Sequence, residues 1–502
     1  MSIDVYWMSK ILLPVSRNRI SRIKDAGLAK LVQSGAGLWN PNEEKLILLP
    51  LGEKIFASAE KQIINALKDF CPQSVDTCGS SRGAMDIAVR LVKRANNLPL
   101  LLAERRHGQL ALLGMHADEE ASFEMANSVL RAIGTAMVTL GVPARRVERT
   151  TPQAHCIDLL CPSASSLNGE EGLRCGACGW ASAYDSPFRL TEEPDEREPQ
   201  ELKEVLTPDC PTVEKLKAYL NVTTKDILKI MFYSVKGRPG LTAAVLRGDR
   251  QVCLEKLRAY LQGARVFHAE HDDLHAIMGD SAGYLGPLGL PPTVTLIADP
   301  SVVGIRNAVA GANKPGYHIT GVCWGRDFST EHVVDISTVQ ESDTCPLCHG
   351  PLQTTGLRRL VRLYPTDLAC AAEKSLTFFN GEKKVHIPAW SATVDLTSVL
   401  SAVMENADCW PATLAPFDDF IYWDGDAPAQ LPALTDILER RGRTVLADDR
   451  PSKKLRDRVD EAAALFAPET LFIREEHGQL VIEATRGSAK ETLTLEQFAQ
   501  RP

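Results

Sequence analysis

RCGACGW (Arg174–Trp180) and DTCPLCHG (Asp343–Gly350) are the two stretches on which the organisation of this chain turns. Each is a Cys-x-x-Cys followed by glycine or His-Gly, the pattern of a tight turn that aims two thiolates at one ion. A single pair is weak evidence, because chance and redox motifs share its spacing. Two turn-like pairs, Cys175/Cys178 and Cys345/Cys348, together complete a tetrahedral four-sulfur site suited to zinc. All four positions would be filled by protein, so the zinc would be structural rather than catalytic. The pairs flank a separable segment, which therefore reads as an insertion whose ends return to the same place. The competing reading is four unrelated free cysteines. His349 is a candidate substitute ligand, and its place after Cys348 does not by itself imply haem.

With 502 residues, the chain should divide into about three or four domains. An ordinary apolar fraction and charges of mixed sign exclude a disordered protein. No apolar run approaches the roughly 20 residues of a membrane-spanning helix, so no membrane association is expected. Met1 to Pro14 lacks the basic start and cleavage site of a secretory signal and reads as a strand. The net charge of −8 excludes an indiscriminate coat for nucleic acid, though not a local basic patch. The 13 cysteines are odd in number and spread along the chain, which suits a reducing cytoplasm and not a disulfide scaffold. Those outside the two pairs read as small core residues.

Periodicity fills in the elements. Glu53 to Phe70 places Ile55, Ala59, Ile63 and Leu67 on one helical stripe. A second helix follows Asp118-Glu119-Glu120, with Phe123, Ala126, Leu130, Ile133, Met137 and Leu140 as its apolar face. Thr191 to Gln200 is charged, broken by prolines and poor in apolar residues, and reads as a linker. Beyond it, Thr242–Leu246 and Thr293–Ile297 have the composition of buried strands. From about Asp418 the chain alternates strand and helix: strands at Thr444–Ala447 and Thr470–Ile473, a helix at Lys453–Phe466, and a hairpin around His477-Gly478.

The segment LKEVLTPDCPTVEKLKAYLNVTTKDILKIMFYSVKG (Leu202–Gly237) resembles the start of the insertion domain of bacterial prolyl-tRNA synthetases. VLRGDR (Val245–Arg250), GYLGPLGLP (Gly283–Pro291) and AGANKPGYHITGVCWGRDF (Ala310–Phe328) continue the resemblance in order. Outside the knuckles, SKILLPVS, AGLAKLVQSGAGLWNP and LLPLGEKI resemble the synthetase N-terminus and its dimer-forming first motif. CWPATLAPF (Cys409–Phe417) and VLADDR (Val445–Arg450) resemble the anticodon-binding domain. The resemblance implies an α/β fold of the α+β kind. A class II synthetase-like antiparallel-sheet core would occupy residues 1–186, with the first knuckle, and 336–415, with the second. A linker at 187–200 would lead to an inserted α/β editing domain at 201–335, and an anticodon-binding-like α/β domain would fill 416–502.

In that family the insertion hydrolyses mischarged aminoacyl-tRNA, chiefly alanine on the tRNA for proline. By resemblance, Lys229 matches the lysine that deacylation requires, where an ammonium can stabilise developing negative charge. Gly286 and Pro287 fall in a loop whose backbone amides would orient the carbonyl, and Gly283 and Gly289 would let it approach the substrate. His318 matches a histidine that limits side-chain size in the amino-acid pocket. Arg247, Asp249 and Asn313 fall in the same motifs as candidate substrate-binding residues. On their own, Lys229 reads as a solvated helix lysine and His318 as a satisfied strand histidine; the ordered motifs favour function. Cys253 departs from the family's usual asparagine.

The synthetase half departs further. In GSSRGAMDIAVR (Gly79–Arg90), Ser80 and Arg82 replace the family's threonine and glutamate, putting a cation where a substrate ammonium should sit. The second motif, LPLLLAERRHGQLALLGMHADEE (Leu98–Glu120), lacks its long arginine-bearing hairpin, leaving Arg105 and Arg106 as candidates for phosphate. In the third, WSATVDLTSVLSAVMEN (Trp390–Asn406), Asp395 stands at a glycine and Ser398 at the arginine. Loss of phosphate-clamping cations argues against ATP and adenylation. Lys453, Lys454, Arg456 and Arg458 could contact phosphates, or form a solvated helix face. The expectation is a homodimer that hydrolyses mischarged aminoacyl-tRNA in trans, the proline tRNA first. A regulatory protein-binding role and a ligase of altered substrate are the alternatives.

Overall fold

The structure, a computed structural model, describes residues 5–7, 23–43, 45–77, 83–106, 108–150, 155–163, 170–184, 195–261, 266–279, 283–365, 373, 375–450 and 453–501. It has mixed α/β architecture in two compact units interleaved along the chain. Unit 1 comprises Met1–Arg146, Asp158–Glu170 and Gly356–Pro502; unit 2 comprises Val147–Ile157 and Glu171–Thr355. Both cysteine pairs fall in unit 2, with the inserted segment.

In unit 1, Leu100–Arg106 runs antiparallel to Gln109–Met115, which pairs with Ala389–Asp395, which in turn pairs with Val361–Tyr364. The helix Pro50–Ala66 buries Ile55, Phe56, Ala59 and Ile63. The helix Glu119–Thr139 starts where the Asp118 carboxylate accepts the Ala121 amide at 2.8 Å, a side-chain N-cap. It buries Ala126, Leu130, Ile133 and Met137. Phe123, expected on that apolar face, is 43% exposed.

A second sheet of unit 1 orders Val5–Trp7, Val445–Ala447, Asp419–Trp423, Glu469–Glu476, Gln479–Arg486 and Ala489–Thr494. The first four strands are parallel and the remaining pairings antiparallel. The hairpin expected at His477-Gly478 is present, with φ of +52° and +77°, the double positive φ of a two-residue turn.

Unit 2 holds the inserted segment. Its elements are β1 (Lys203–Leu206), α1 (Val213–Leu220), β2 (Leu228–Val235), β3 (Leu241–Arg247), α2 (Leu254–Tyr260), β4 (Val266–His268), α3 (His271–Met278), β5 (Val294–Ala298), β6 (Ala308–Gly311) and β7 (Tyr317–Val322). A four-stranded sheet runs β4-β2-β3-β5, and a three-stranded sheet runs β1-β7-β6. Every residue of β3 is buried, as its continuous apolar run requires of a strand covered on both faces. One face packs Leu257 and Leu261 against Tyr233, Ala244 and Ile297, and the other packs Leu274 against Phe232 and Ala243. An isolated bridge between Ile227 and Val309 joins the two sheets.

The charged stretch read as a linker is described from residue 195, and Asp195 and Arg197 within it are paired. Arg197 bonds Asp195, Asp226 and the Arg306 carbonyl, while the Glu198 carbonyl and Gln200 amide bond Asn307. The hydrogen bonds from Arg197 hold the Asp195 carboxyl down at about 2.

Candidate functional site: a cleft in the inserted segment

Beyond the Ile227–Val309 bridge a cleft of about 450 Å³ opens between the two sheets of unit 2. Leu228–Phe232 of β2 line one side, and Gly311 and His318 of the three-stranded sheet the other. Pro211, Thr212, Val213, Leu216, His268, Gly283 and Leu285 also line it. The walls are mostly apolar, with a few convergent polar groups, as small-molecule sites are built. Among the candidates taken from the sequence, Lys229, His318 and Gly283 meet here.

Lys229 lies on a strand, not on the helix that its isolated reading suggested. Strand alternation sets it with Met231 and Tyr233, opposite Ile230 and Phe232. Its ammonium donates to the Arg250 carbonyl at 2.5 Å and to Gln251 Oε1 at 3.2 Å, both neutral acceptors. Burial lowers its pKa, an effect that the charge of Asp249 opposes.

His318 is 5% exposed and sits across from Val205 in the β1–β7 pairing. Its Nδ1 lies 2.6 Å from Thr207 Oγ1, and its ring meets Tyr284 edge-on at 5.4 Å. Burial lowers its pKa to about 4, so it is neutral at pH 7. An uncharged ring in an apolar wall can fix the size and hydrogen bonding of a guest without repelling an ammonium.

Gly286 and Pro287 are buried and do not line the cleft. The Gly286 amide donates to Asn313 Oδ1 at 2.8 Å, and Asn313 Nδ2 donates to the Leu288 carbonyl at 2.7 Å. Asn313 therefore clamps the loop from both sides, and the Gly286 amide is already engaged. A Cβ on Gly286 would stand 2.0 Å from the Gly311 carbonyl oxygen, so only glycine permits this approach of loop to sheet.

Arg247 and Asp249 do not line the cleft. They pair with each other through Nε–Oδ1 at 2.6 Å and a second bond at 2.9 Å. Burial pushes the Asp249 carboxyl up, but the Arg247 bonds outweigh it and hold it below the carboxylate range. Thr207 and His268 were not visible as site residues in the sequence, because their partners are distant along the chain.

The four knuckle sulfurs lie within 4.8 Å of one another, a cluster able to hold a metal ion. Cys175 and Cys348 Sγ are 3.4 Å apart, and Cys178 and Cys345 Sγ 3.6 Å. Tetrahedral zinc–thiolate bonds of about 2.3 Å would space the sulfurs by about 3.8 Å, so the set fits. Both turns use one pattern. The first cysteine's carbonyl accepts from the residue four on, and its amide donates to the carbonyl five on. That fourth residue is Gly179 at φ +72° in one turn and His349 at +59° in the other. His349 thus serves the turn, and the four ligand positions belong to cysteines. Of the other described cysteines, Cys156, Cys161, Cys210, Cys253 and Cys323 are buried, while Cys71 is exposed.

Residues 207–328 match the family model of the aminoacyl-tRNA editing domain. A proline–tRNA ligase of Kosmotoga olearia is 29% identical over 364 residues, covering 68% of this chain and 61% of its own. That of Streptococcus uberis is 30% identical over 308 residues, covering 57% and 49%. The chain is thus similar to proline–tRNA ligases, and its residues 207–328 to the aminoacyl-tRNA editing domain. It spans about half to three-fifths of the length of these curated relatives. Among solved structures, a prolyl-tRNA synthetase of Cryptosporidium parvum, complexed with halofuginone and AMPPNP, aligns at a TM-score of 0.46 and 7% identity. That alignment covers 97% of this chain and 77% of the other.

At the positions that resemble synthetase motifs in unit 1, the polar groups are matched to one another. Arg105 pairs with Glu53 at 2.9 Å and Glu60 at 3.2 Å. Arg106 pairs with the buried Glu104 at 2.6 Å and donates to Thr77. Asp395 caps the helix Leu396–Asn406, its carboxylate accepting the Ser398 amide and hydroxyl, each at 3.0 Å. Burial raises the Asp395 pKa against the pull of those bonds. Ser80 and Arg82 lie outside the described residues. In the helix Leu455–Ala464, Arg458 is 1% exposed and bonds the Asp448 and Arg450 carbonyls. It is a core residue, neither a phosphate contact nor part of a solvated face. Lys453 pairs with Glu461 at 2.8 Å. Among the described residues, no helix is long and apolar enough to cross a membrane.

Proposed function

We propose that this protein hydrolyses mischarged aminoacyl-tRNA in trans, alanyl-tRNA for proline first, and that unit 1 has no working adenylation site. The cleft carries this reading: Lys229 and a neutral His318 line it together, within residues that match an editing domain. In the reaction, water adds to the ester carbonyl and the bond to the ribose oxygen breaks. The water's proton passes to the leaving oxygen. Lys229 supplies positive charge for the carbonyl oxygen or the terminal phosphate, and electrostatic help of this kind is commonly the largest catalytic contribution. His318 and the apolar wall admit a small side chain. The protein acts as a cytoplasmic homodimer joined through its first-motif region. Zinc on Cys175, Cys178, Cys345 and Cys348 supplies structure and takes no part in the reaction. Atomic spectroscopy should find about one zinc per chain.

A binding role without turnover is the second reading. It is favoured by the Lys229 ammonium resting on the Arg250 carbonyl and Gln251. Deacylation of alanyl- and prolyl-tRNA for proline, beside Lys229→Ala, separates the two. Alanyl-ester hydrolysis lost in the variant supports editing. An intact ester, with other aminoacyl esters also intact, supports binding alone.

A further inference from the structure

The acceptor that seats Lys229 is itself fixed by a buried ion pair. The Arg250 guanidinium meets the Asp343 carboxylate through two contacts, 2.9 Å and 2.6 Å, with side chains 4% and 3% exposed. Asp343 also accepts the Gln340 amide at 2.8 Å, and Gln340 Nε2 donates to the Asp249 carbonyl at 2.9 Å. Backbone bonds from Cys253 to Ile336 and from Thr338 to Gln251 run alongside. The turn after β3 is thereby stitched to the strip of chain that leads into Cys345. Two-point guanidinium–carboxylate contacts define direction as well as distance, and burial protects them from competing water.

The geometry points to Arg250 and Asp343 as positioning residues for Lys229. They hold the 250–251 backbone where its carbonyl and the Gln251 side chain can seat the ammonium, and so link the cleft to the second knuckle. This rests on the proposed role of Lys229 in deacylation, but the seat itself can be tested without turnover. Neutral acceptors are what such a seat needs: they orient the ammonium while leaving its charge uncancelled. A carboxylate at the same place would orient it and neutralise it together.

The test uses the full chain and reads the rate at which an amine-acylating reagent labels Lys229, by peptide mass spectrometry, with zinc content measured alongside. Asp343→Asn should speed labelling about fivefold with zinc per chain unchanged. Gln251→Ala, an exposed site that leaves the ion pair in place, should speed it about twofold. On alanyl-tRNA for proline, Asp343→Asn should lower kcat about tenfold with KM within twofold of the parent. Added to Lys229→Ala, it should lower the residual rate no further. Unchanged labelling in both variants, or a further tenfold loss in the Lys229→Ala background, would overturn the inference. A protein inert on every aminoacyl-tRNA yet faster-labelled in both variants would sink the editing reading and leave the seat standing.

Discussion

Two regions of this chain carry cations in stretches that resemble synthetase motifs, and they treat the charge differently. In unit 2 the Lys229 ammonium is held by a backbone carbonyl and a side-chain amide oxygen. Both orient it and neither cancels it. In unit 1, Arg105 and Arg106 are held by the carboxylates of Glu53, Glu60 and Glu104. Those pairs are close to neutral before any phosphate arrives. At 4 Å an opposite charge offsets about 4 kcal/mol of potential at an effective dielectric of 20, so a paired guanidinium offers an incoming anion little. The presence of a cation says less about a site than what already sits beside it.

The sharpest way to break this contrast is Lys229→Ala. Deacylation should fall about 100- to 1,000-fold, some 3–4 kcal/mol of barrier, with circular dichroism unchanged. A loss under tenfold would mean the uncancelled charge is idle. His318 gives the next largest effect, read in stability. Its folded pKa of about 4 lies below the ordinary 6.5, so on acidification the unfolded chain takes up this proton first. The contribution of His318 is therefore intact above about pH 6.5 and declines until about pH 4, where the folded protein also protonates. The total is about 3 kcal/mol. His318→Gln should remove that slope from urea-unfolding measurements across the window.

Gly286→Ala tests whether the cleft needs its close backbone approach. Relief of a 2.0 Å clash with the Gly311 carbonyl must move the loop, with a stability loss of about 2 kcal/mol and a slower deacylation step. Retention of full activity would show that the loop is free to shift. The smallest effect should come from Arg105→Ala. The pair is partly exposed, so at most about 1 kcal/mol of stability is expected. Amino-acid-dependent pyrophosphate exchange into ATP should stay at background in both parent and variant. Exchange above background in the parent would remove the contrast between the two units.

Much of the fold was legible. The buried run of β3, the helix 50–66 stripe and the His477-Gly478 turn follow from local period and turn chemistry, which act over a few residues. Phe123 was misread because a helical stripe does not reveal where the opposing surface begins. Arg458 looked like surface on a charged helix, yet its guanidinium satisfies two carbonyls from the preceding strand end. The site was legible in part. Lys229, His318 and Gly283 line one cleft, whereas Arg247 and Asp249 spend their charges on each other.

By itself the sequence determined the paired knuckles, the segment between them and the resemblance to prolyl-tRNA synthetases, because spacing and motif order are properties of the chain alone. Only the tertiary structure decided which polar groups remain available. The Gly286 amide is engaged by Asn313, 27 positions away, and Arg250 is fixed by Asp343, 93 positions away. Whether a donor or a charge is available depends on what folding brings within about 3 Å of it, and no local pattern records that distance.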